Sequence, residues 1–420
     1  MWNLAEKAYC VLALVYLSGA FIAMSAGGTP TTQAMQDSSL PILVLQVSVY
    51  SVMAFFLLVR FNSSARLIVP QQWLSAFLVW MVASAAWSVD PLRTIKDAIW
   101  VYAATAFGIY FANRFTVRQQ VRLLALALGI TAVATVFCAI VLPQYAIARE
   151  VAYGGAWKGV FEQKNMLGKS MVLMCACCIW LWSSRQAKRP IVAVMFIVGA
   201  AVLLLSHSAT SILTLIALLL LVPLFRVLRW RASTFLPAAF VMSVVFAGLA
   251  VFLVNNSTDF LGLLGRDATL TGRVPMWAIV LKSISMRPWL GYGFDVFWKG
   301  LHGPSAATWE SVDWHPNEAH NGFLQIWLDL GFFGVILFCL VLYSAFSRAI
   351  REFRQGTGHD ALWPLMLLSC FFLLNLTEAN TPSPFAPLLW ILVVGSLHHS
   401  EHVMETTVYK ERSTAILEIP

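Results

Sequence analysis

Long apolar runs, most of them about as long as a bilayer crossing, alternate along the chain with polar turns, a pattern that predicts membrane-spanning helices. Twelve such runs stand out, near 8–26, 40–59, 71–88, 95–112, 121–142, 166–184, 190–206, 210–225, 235–254, 320–347, 361–377 and 384–399. The first has only Lys7, with Glu6 before it, and no cleavage site, so it reads as a span rather than a signal peptide. The pattern predicts an all-α polytopic membrane protein of about twelve transmembrane helices, with 1–420 as one transmembrane domain. A long loop at 255–319 lies within it, and the mixed polar tail at 400–420 is expected to be mobile. No internal repeat is visible.

Composition agrees and excludes much else. Charged residues make up 11% of the 420 and hydrophobic ones 59%, against about 25% charged in a soluble domain. Mean hydropathy is +0.75. A soluble enzyme, a disordered chain and a nucleic-acid binder are all poor fits. Twelve spans of about 20 residues would use roughly 240 positions, close to the apolar total. All seven cysteines fall in apolar runs, and Cys175, Cys177 and Cys178 lack paired metal-ligand spacing, so neither a disulfide framework nor a metal site is implied.

Lys and Arg orient the spans, because short cytoplasmic loops retain positive charge. Of 28 such residues, seventeen fall on one side, which puts both termini in the cytoplasm. Eleven fall on the other: Arg93, Lys96, Arg149, Lys158, Lys164, Lys169, Arg266, Arg273, Lys282, Arg287 and Lys299. Most of these lie in or beside 143–165 and 255–319. Long loops translocate whatever their charge, which accounts for their tolerance but not their purpose. A cationic outer pocket suits an anionic head group such as a diphosphate, gripped by a guanidinium fork.

Three segments carry more specific chemistry. Trp157 to Gly168 holds Lys158, Glu162, Lys164 and Asn165 just before a span, as interfacial anchors or as site groups. Ser206 to Ser211 is a short hydroxyl-rich turn around His207, whose hydroxyls either cap the next helix or serve a site. In the long loop, Thr271-Gly272-Arg273 leads into an apolar stretch able to lie on the membrane, with Pro275 in its first turn. Then come a Gly-rich turn through Arg287 to Asp295 and the segment Trp314 to Gln325. His320 is expected in the first turn of a span, where the helix dipole and nearby cations favour a neutral imidazole able to take a proton from a sugar hydroxyl. Glu318, Glu162 and Asp295 are candidates to orient it. Asp329, about 13 Å along the helix, reads as a polar helix contact. His359, His398, His399 and His402 read as interfacial groups on the cytoplasmic side.

The order Lys-Gly-Val-Phe-x-x-Lys-Asn-x-Leu-Gly, Ser-x-Ser-x-Thr, Thr-Gly-Arg, Pro-Trp-Leu-Gly-Tyr-Gly and Ala-His-Asn-Gly-Phe-Leu-Gln, over Trp157 to Gly334, resembles the O-antigen ligase and polymerase superfamily, above all its exopolysaccharide-polymerase (ExoQ-like) branch. The resemblance implies a metal-independent, inverting glycosyltransferase of the bacterial inner membrane, without a cofactor. Its donor would be a polyprenyl-diphosphate-linked glycan used at the periplasmic face, and a flippase and a chain-length regulator would be its partners. It puts the acceptor base on His320, beside Asn321, and the diphosphate grip on Arg273, which would neutralise the leaving group's charge. The ligase branch tends to carry arginine in the Ser-x-Ser-x-Thr turn, where this chain has Ala209. The second cation must then be Lys164, Lys158, Arg266 or Arg287, and the departure favours polymerase over ligase. Two other classes stay open. A flippase of lipid-linked sugars would place charges at mid-span, where this chain has few, and a non-catalytic scaffold would leave His320 and Arg273 replaceable.

Overall fold

The computed structural model describes residues 2–22, 40–59, 71–148, 154–185, 187–225, 229, 273–311, 316–356, 358–384 and 386–397. The predicted span at 235–254, the first part of the long loop, Arg266 and the tail at 400–420 lie outside the described residues. Those described form helices and turns: α1 (Trp2–Leu17), α2 (Leu40–Val59), α3 (Gln72–Ala83), α4 (Pro91–Arg114), α5 (Val117–Val141), α6 (Lys164–Ser183), α7 (Arg189–Leu205), α8 (Ala209–Leu224), α9 (Arg273–Met286), α10 (Gly322–Gln355), α11 (Leu362–Asn375) and α12 (Leu388–Leu397). Helices thus occupy eleven of the twelve predicted segments. Three of them, α5, α6 and α10, are long and apolar enough to cross a membrane.

Local sequence sets the ends. The side chain of Asp90 caps α4 by accepting from Arg93 N at 3.2 Å, with Pro91 in the first position. Thr116 and Gln119 form a reciprocal capping box on α5. Burial is greatest along α6, whose most apolar window is 72% buried. Gly168 makes its contact with α8 possible, since a Cβ there would lie 2.6 Å from Ser211 Oγ, the close approach that small residues allow between apolar helices. Elsewhere Val133, Phe137, Ile140 and Leu220 face outward, as a lipid-facing surface would.

The apolar stretch after Arg273 is a helix, with Pro275 in its first turn as expected. Its stripe Met276, Val280 and Ile284 does not lie open, however. It is buried with Tyr292, Phe297, Trp298 and Leu328 in a second, smaller core, which the aromatic residues of the following turn complete.

Helix α10 breaks at Gly331, where φ is 69°. A break leaves the last carbonyls of the first half without helical partners. The Gly-rich turn supplies replacements: Tyr292 N donates to Leu328 O and Gly293 N to Asp329 O, both at 2.9 Å, while Trp80 Nε1 donates to Leu330 O at 3.0 Å. Phe332 N, the first amide beyond the break, donates to Pro288 O at 2.9 Å. The Pro-Trp-Leu-Gly-Tyr-Gly motif is therefore a backbone splint. Its fit is tight, since a Cβ on Gly331 would come within 2.1 Å of Trp289 O.

Candidate functional site

Four segments remote in sequence converge on one carboxylate that sequence reasoning missed. Glu378, just beyond α11, is 1% exposed. Its Oε1 accepts from Arg273 Nη2 at 2.5 Å and from Asn165 Nδ2 at 2.9 Å, and its Oε2 lies 3.2 Å from His320 Nδ1. Arg273 also donates through Nη1 to the carbonyl of Thr377. Burial alone would push the Glu378 carboxyl up. The hydrogen bond and charge of His320, then the charges of Arg273 and Lys169, outweigh burial and hold it down at about 2. It is a permanent anion at neutral pH.

The Ser-x-Ser-x-Thr turn enters through Asn165. Ser208 stands at the N-cap of α8, yet its side chain does not cap that helix. Its Oγ lies 3.0 Å from both Asn165 Oδ1 and Ser211 Oγ. A hydroxyl has one proton, so Ser208 donates to Asn165 and accepts from Ser211. With the oxygen of Asn165 engaged there, its NH₂ faces Glu378. The capping reading of this turn gives way to an orienting one because Asn165 offers a half-buried acceptor across the helix contact.

His320 is not in the first turn of a helix. Asn321 is the N-cap of α10, its Oδ1 accepting from Phe323 N and Leu324 N at 3.0 Å, so His320 precedes the cap. Asn321 is thus a capping residue, and its Nδ2 holds Leu376 O at 3.0 Å beside Glu378. The His320 backbone is left-handed, φ 45°, and its side chain is buried. A non-glycine residue held there stores strain that only surrounding contacts maintain. The carboxylates of Glu318 and Glu378 each lie 3.2 Å from Nδ1. One of the three expected orienting candidates, Glu318, therefore does approach the ring, alongside the unexpected Glu378. Burial first raises the Glu318 carboxyl, with the charges of His320 and Lys169 opposing.

A cavity of about 190 Å³ opens beside this network. Its lining includes Glu162, Asn165, Lys169, Glu318 and Glu378, and also Arg93, Asp295, Trp298, Gln325, Asp329 and Asn380. Burial, then the charge of Glu318, raises the Glu162 carboxyl, with Lys158 opposing. Burial, then the charges of Asp97 and Asp329, holds Asp295 well above the usual carboxylate range. Arg273, His320 and Asn321 stand behind Glu378 rather than among the lining residues, and Lys158, Lys164, Arg287 and His207 do not line the cavity either. Arg287 lies over the Tyr292 ring, 5.0 Å from its centroid, and His207 is exposed at the apex of its turn with φ 50°. The cation that reaches the cavity from α6 is Lys169, five residues beyond Lys164.

One ligand atom each from Glu318, His320 and Glu378 fall within 4.8 Å of one another, a spacing able to hold a metal ion. Glu378 already accepts from Arg273, Asn165 and His320, and a cation there would sit against a guanidinium. The donor set fits a hydrogen-bonded relay better than a metal centre.

Comparison with known proteins finds partial matches. Residues 193–339 match the family described as O-Antigen ligase. The chain is also 25% identical, over 299 residues, to the Exopolysaccharide production protein ExoQ of Rhizobium meliloti. Over these residues the chain is similar to the O-antigen ligase family and to ExoQ. The ExoQ match takes in 67% of this chain and 65% of that protein, so the chain spans just under two thirds of its relative. A Rickettsia felis protein provisionally named a polysaccharide ligase is 29% identical over 111 residues, 26% of either chain. Arg273 and His320 lie inside the region matched to the family, whereas Asn165 and Glu378 lie outside it. The lone carboxylate was nevertheless findable, because Glu378 is the sole charged residue between Asp360 and His398, and an ionisable group isolated in apolar sequence points to function.

Proposed function

We propose that this protein is a metal-independent, inverting glycosyltransferase that polymerises polyprenyl-diphosphate-linked oligosaccharide repeats into exopolysaccharide or O-antigen. The proposal includes about twelve crossings of the bacterial inner membrane, both termini in the cytoplasm and the reaction at the periplasmic face. The observation that carries it is the His320–Glu378 pair, whose carboxylate lines a polar cavity. With Nδ1–H donated to an anionic carboxylate, Nε2 is the nitrogen that exchanges a proton.

In the proposed step, the acceptor hydroxyl loses its proton to Nε2 as its oxygen bonds to the anomeric carbon of the donor. The anomeric carbon–oxygen bond breaks on the opposite face. Polyprenyl diphosphate leaves with the bonding pair, and configuration inverts. Glu378 stabilises the imidazolium that forms, as the buried acid of a hydrolytic triad does. Arg273 has guanidinium protons beyond the two given to Thr377 and Glu378, and it grips the diphosphate. Its position among the lining residues makes Lys169, rather than Lys164, Lys158 or Arg287, the second cation.

The test is purified protein with synthetic polyprenyl-diphosphate oligosaccharide and no added divalent metal. Release of polyprenyl diphosphate is expected, with loss of turnover in His320→Ala at unchanged expression. Full turnover by that variant, or inhibition by EDTA reversed by magnesium, overturns the reading. Long chains from one substrate mark a polymerase. The family's description and the Rickettsia relative's name favour a second reading, a ligase transferring the glycan to a lipid A-core acceptor, which would yield product only when that acceptor is present.

A further inference from the structure

The part of the cavity bounded by Asp329 and Asn380 takes no part in the proton transfer just described, yet it is built. Asp329 is 2% exposed, and its Oδ2 accepts from Gln325 Nε2 at 2.9 Å. The Asp295 backbone amide also approaches this carboxylate, but not closely enough to bond Oδ1, which has no hydrogen-bond partner among the described residues. Asn380 is 7% exposed, its backbone N is held by Asn375 Oδ1 at 3.0 Å, and its Nδ2 has no partner among the described residues either. Both residues line the cavity. A buried polar atom left unpaired costs about 1–3 kcal/mol, so one orphan acceptor and one orphan donor lining the same cavity call for a ligand that answers both.

Gln325 itself is fixed from two further directions. Its Oε1 accepts from Trp298 Nε1 at 3.0 Å and from Ala319 N at 2.9 Å, so its NH₂ must face Asp329 and the free oxygen of that carboxylate is set. The same bonds hold the Trp298 ring at the cavity wall and tie the wall to the residue preceding His320.

Charge narrows the ligand. Asp97, Asp295 and Asp329 gather here, with Arg93 paired to Asp97 at 3.3 Å. Lys169, the other cation of the cavity, acts on Glu318 and Glu378 instead. An ionised phosphate or carboxylate has only acceptor atoms. It cannot donate to the open oxygen of Asp329. A sugar hydroxyl both donates and accepts.

We infer that this wall is a hydroxyl-reading subsite for one neutral sugar ring, with Asp329 Oδ1 accepting from a hydroxyl, Asn380 Nδ2 donating to a hydroxyl oxygen, and Trp298 beside the ring. The inference rests on the glycosyl-transfer reading and specifies the sugar at that site as one without an acidic group. Its test is direct binding, independent of transfer. Full-length protein in lipid nanodiscs is titrated with methyl glucoside, galactoside and mannoside, with methyl glucuronide as the charged comparator, followed by saturation-transfer NMR. At least one neutral glycoside saturates, and the glucuronide binds about tenfold or more weakly. Replacing its hydroxyls one at a time with fluorine, a poor acceptor and no donor, finds one position where affinity drops about tenfold or more, the scale of a charge-assisted hydrogen bond.

In Asp329→Asn that penalty disappears, because the amide turns its oxygen to Gln325 and presents a donor to the cavity. Asn380→Ala weakens all neutral glycosides and keeps the penalty. Absence of any saturating glycoside, equal binding of the glucuronide, or wild-type fluorine scans in Asp329→Asn each overturn the inference. If Asp329→Asn does not fold, Asn380→Ala decides: unchanged affinity overturns the inference and weakened affinity supports it. Sugars that bind as described to a protein that transfers none leave the subsite standing and overturn the function instead.

Discussion

Replacing Glu378 with glutamine keeps the shape of the hub and removes its charge. The carboxyl stands at about 2 against an ordinary 4.5, a difference of about 2.5. At 1.36 kcal/mol for each pH unit this is about 3 kcal/mol of preference for the anion in its cationic surroundings. Were that preference expressed wholly in the imidazolium formed during transfer, turnover would fall about 300-fold. A second effect adds to it. The oxygen of the introduced amide can keep Arg273 and Asn165, which turns its NH₂ toward His320 Nδ1 and moves the ring proton to Nε2, the nitrogen needed as base. The expected loss is therefore about 10²–10⁴-fold in kcat, the range that general-base catalysis supplies, with donor KM little changed. The assay is release of polyprenyl diphosphate from detergent-purified variants with matched size-exclusion profiles. Because His320 and Glu378 act as one unit, the double variant with His320→Ala should be no worse than His320→Ala alone. Turnover above half of wild type in Glu378→Gln, or multiplicative losses in the double variant, would refute the relay. Stability carries a parallel signature. Between pH 4.5 and about 2 the unfolded chain binds a proton at Glu378 that the folded chain does not, so this contribution is present above the window and lost as pH falls through it. Acid unfolding of Glu378→Gln should lack that component.

Arg273→Lys should cost about 100-fold or more in turnover, because a single ammonium cannot hold Thr377 O and Glu378 together while presenting further donors to a diphosphate; retention of a tenth of the activity would contradict the grip. Ser208→Ala frees the Asn165 amide to rotate and should lower kcat about tenfold at unchanged expression, measured in the same release assay. Gly331→Ala places a Cβ against Trp289 O in a left-handed backbone and should destabilise the fold by more than the ~1–3 kcal/mol of the strained dihedral alone; a melting temperature equal to wild type would show that the helix break is not splinted as described.

Much of the fold was legible in the chain because apolar run length is a strong signal, and helices occupy each predicted segment within the described residues. The site was legible in part. Motif order led to Arg273, His320 and Asn165, and all three meet. What it missed was the single charge buried in apolar sequence beyond α11, Glu378; Lys169 was counted among the outer cations without a role, and Asp329 is the polar helix contact expected, through Gln325. Weight went instead to the cation-rich loops, where Lys158, Lys164 and Arg287 proved to face other partners or to lie away from the cavity. Charge is inexpensive in a wet loop and costly in an apolar run, so the isolated charge is the more informative one. The orienting partner of His320 could not be reached by spacing either, since 58 residues separate it from Glu378 and only the packing of α10 against α11 brings them together.

The break at Gly331 has a mechanical consequence. Unbroken, the 34 residues of α10 would form a rod of about 51 Å, well beyond a hydrocarbon core of about 30 Å. Divided, the stretch after Gly331 can tilt to suit a thicker or thinner bilayer. The short stretch before it stays fastened through three carbonyls, two held by the Gly-rich turn and one by Trp80 of α3. The joint isolates the chemistry from the membrane's thickness: lipid composition can vary while the spacing of His320, Gln325 and Asp329 does not.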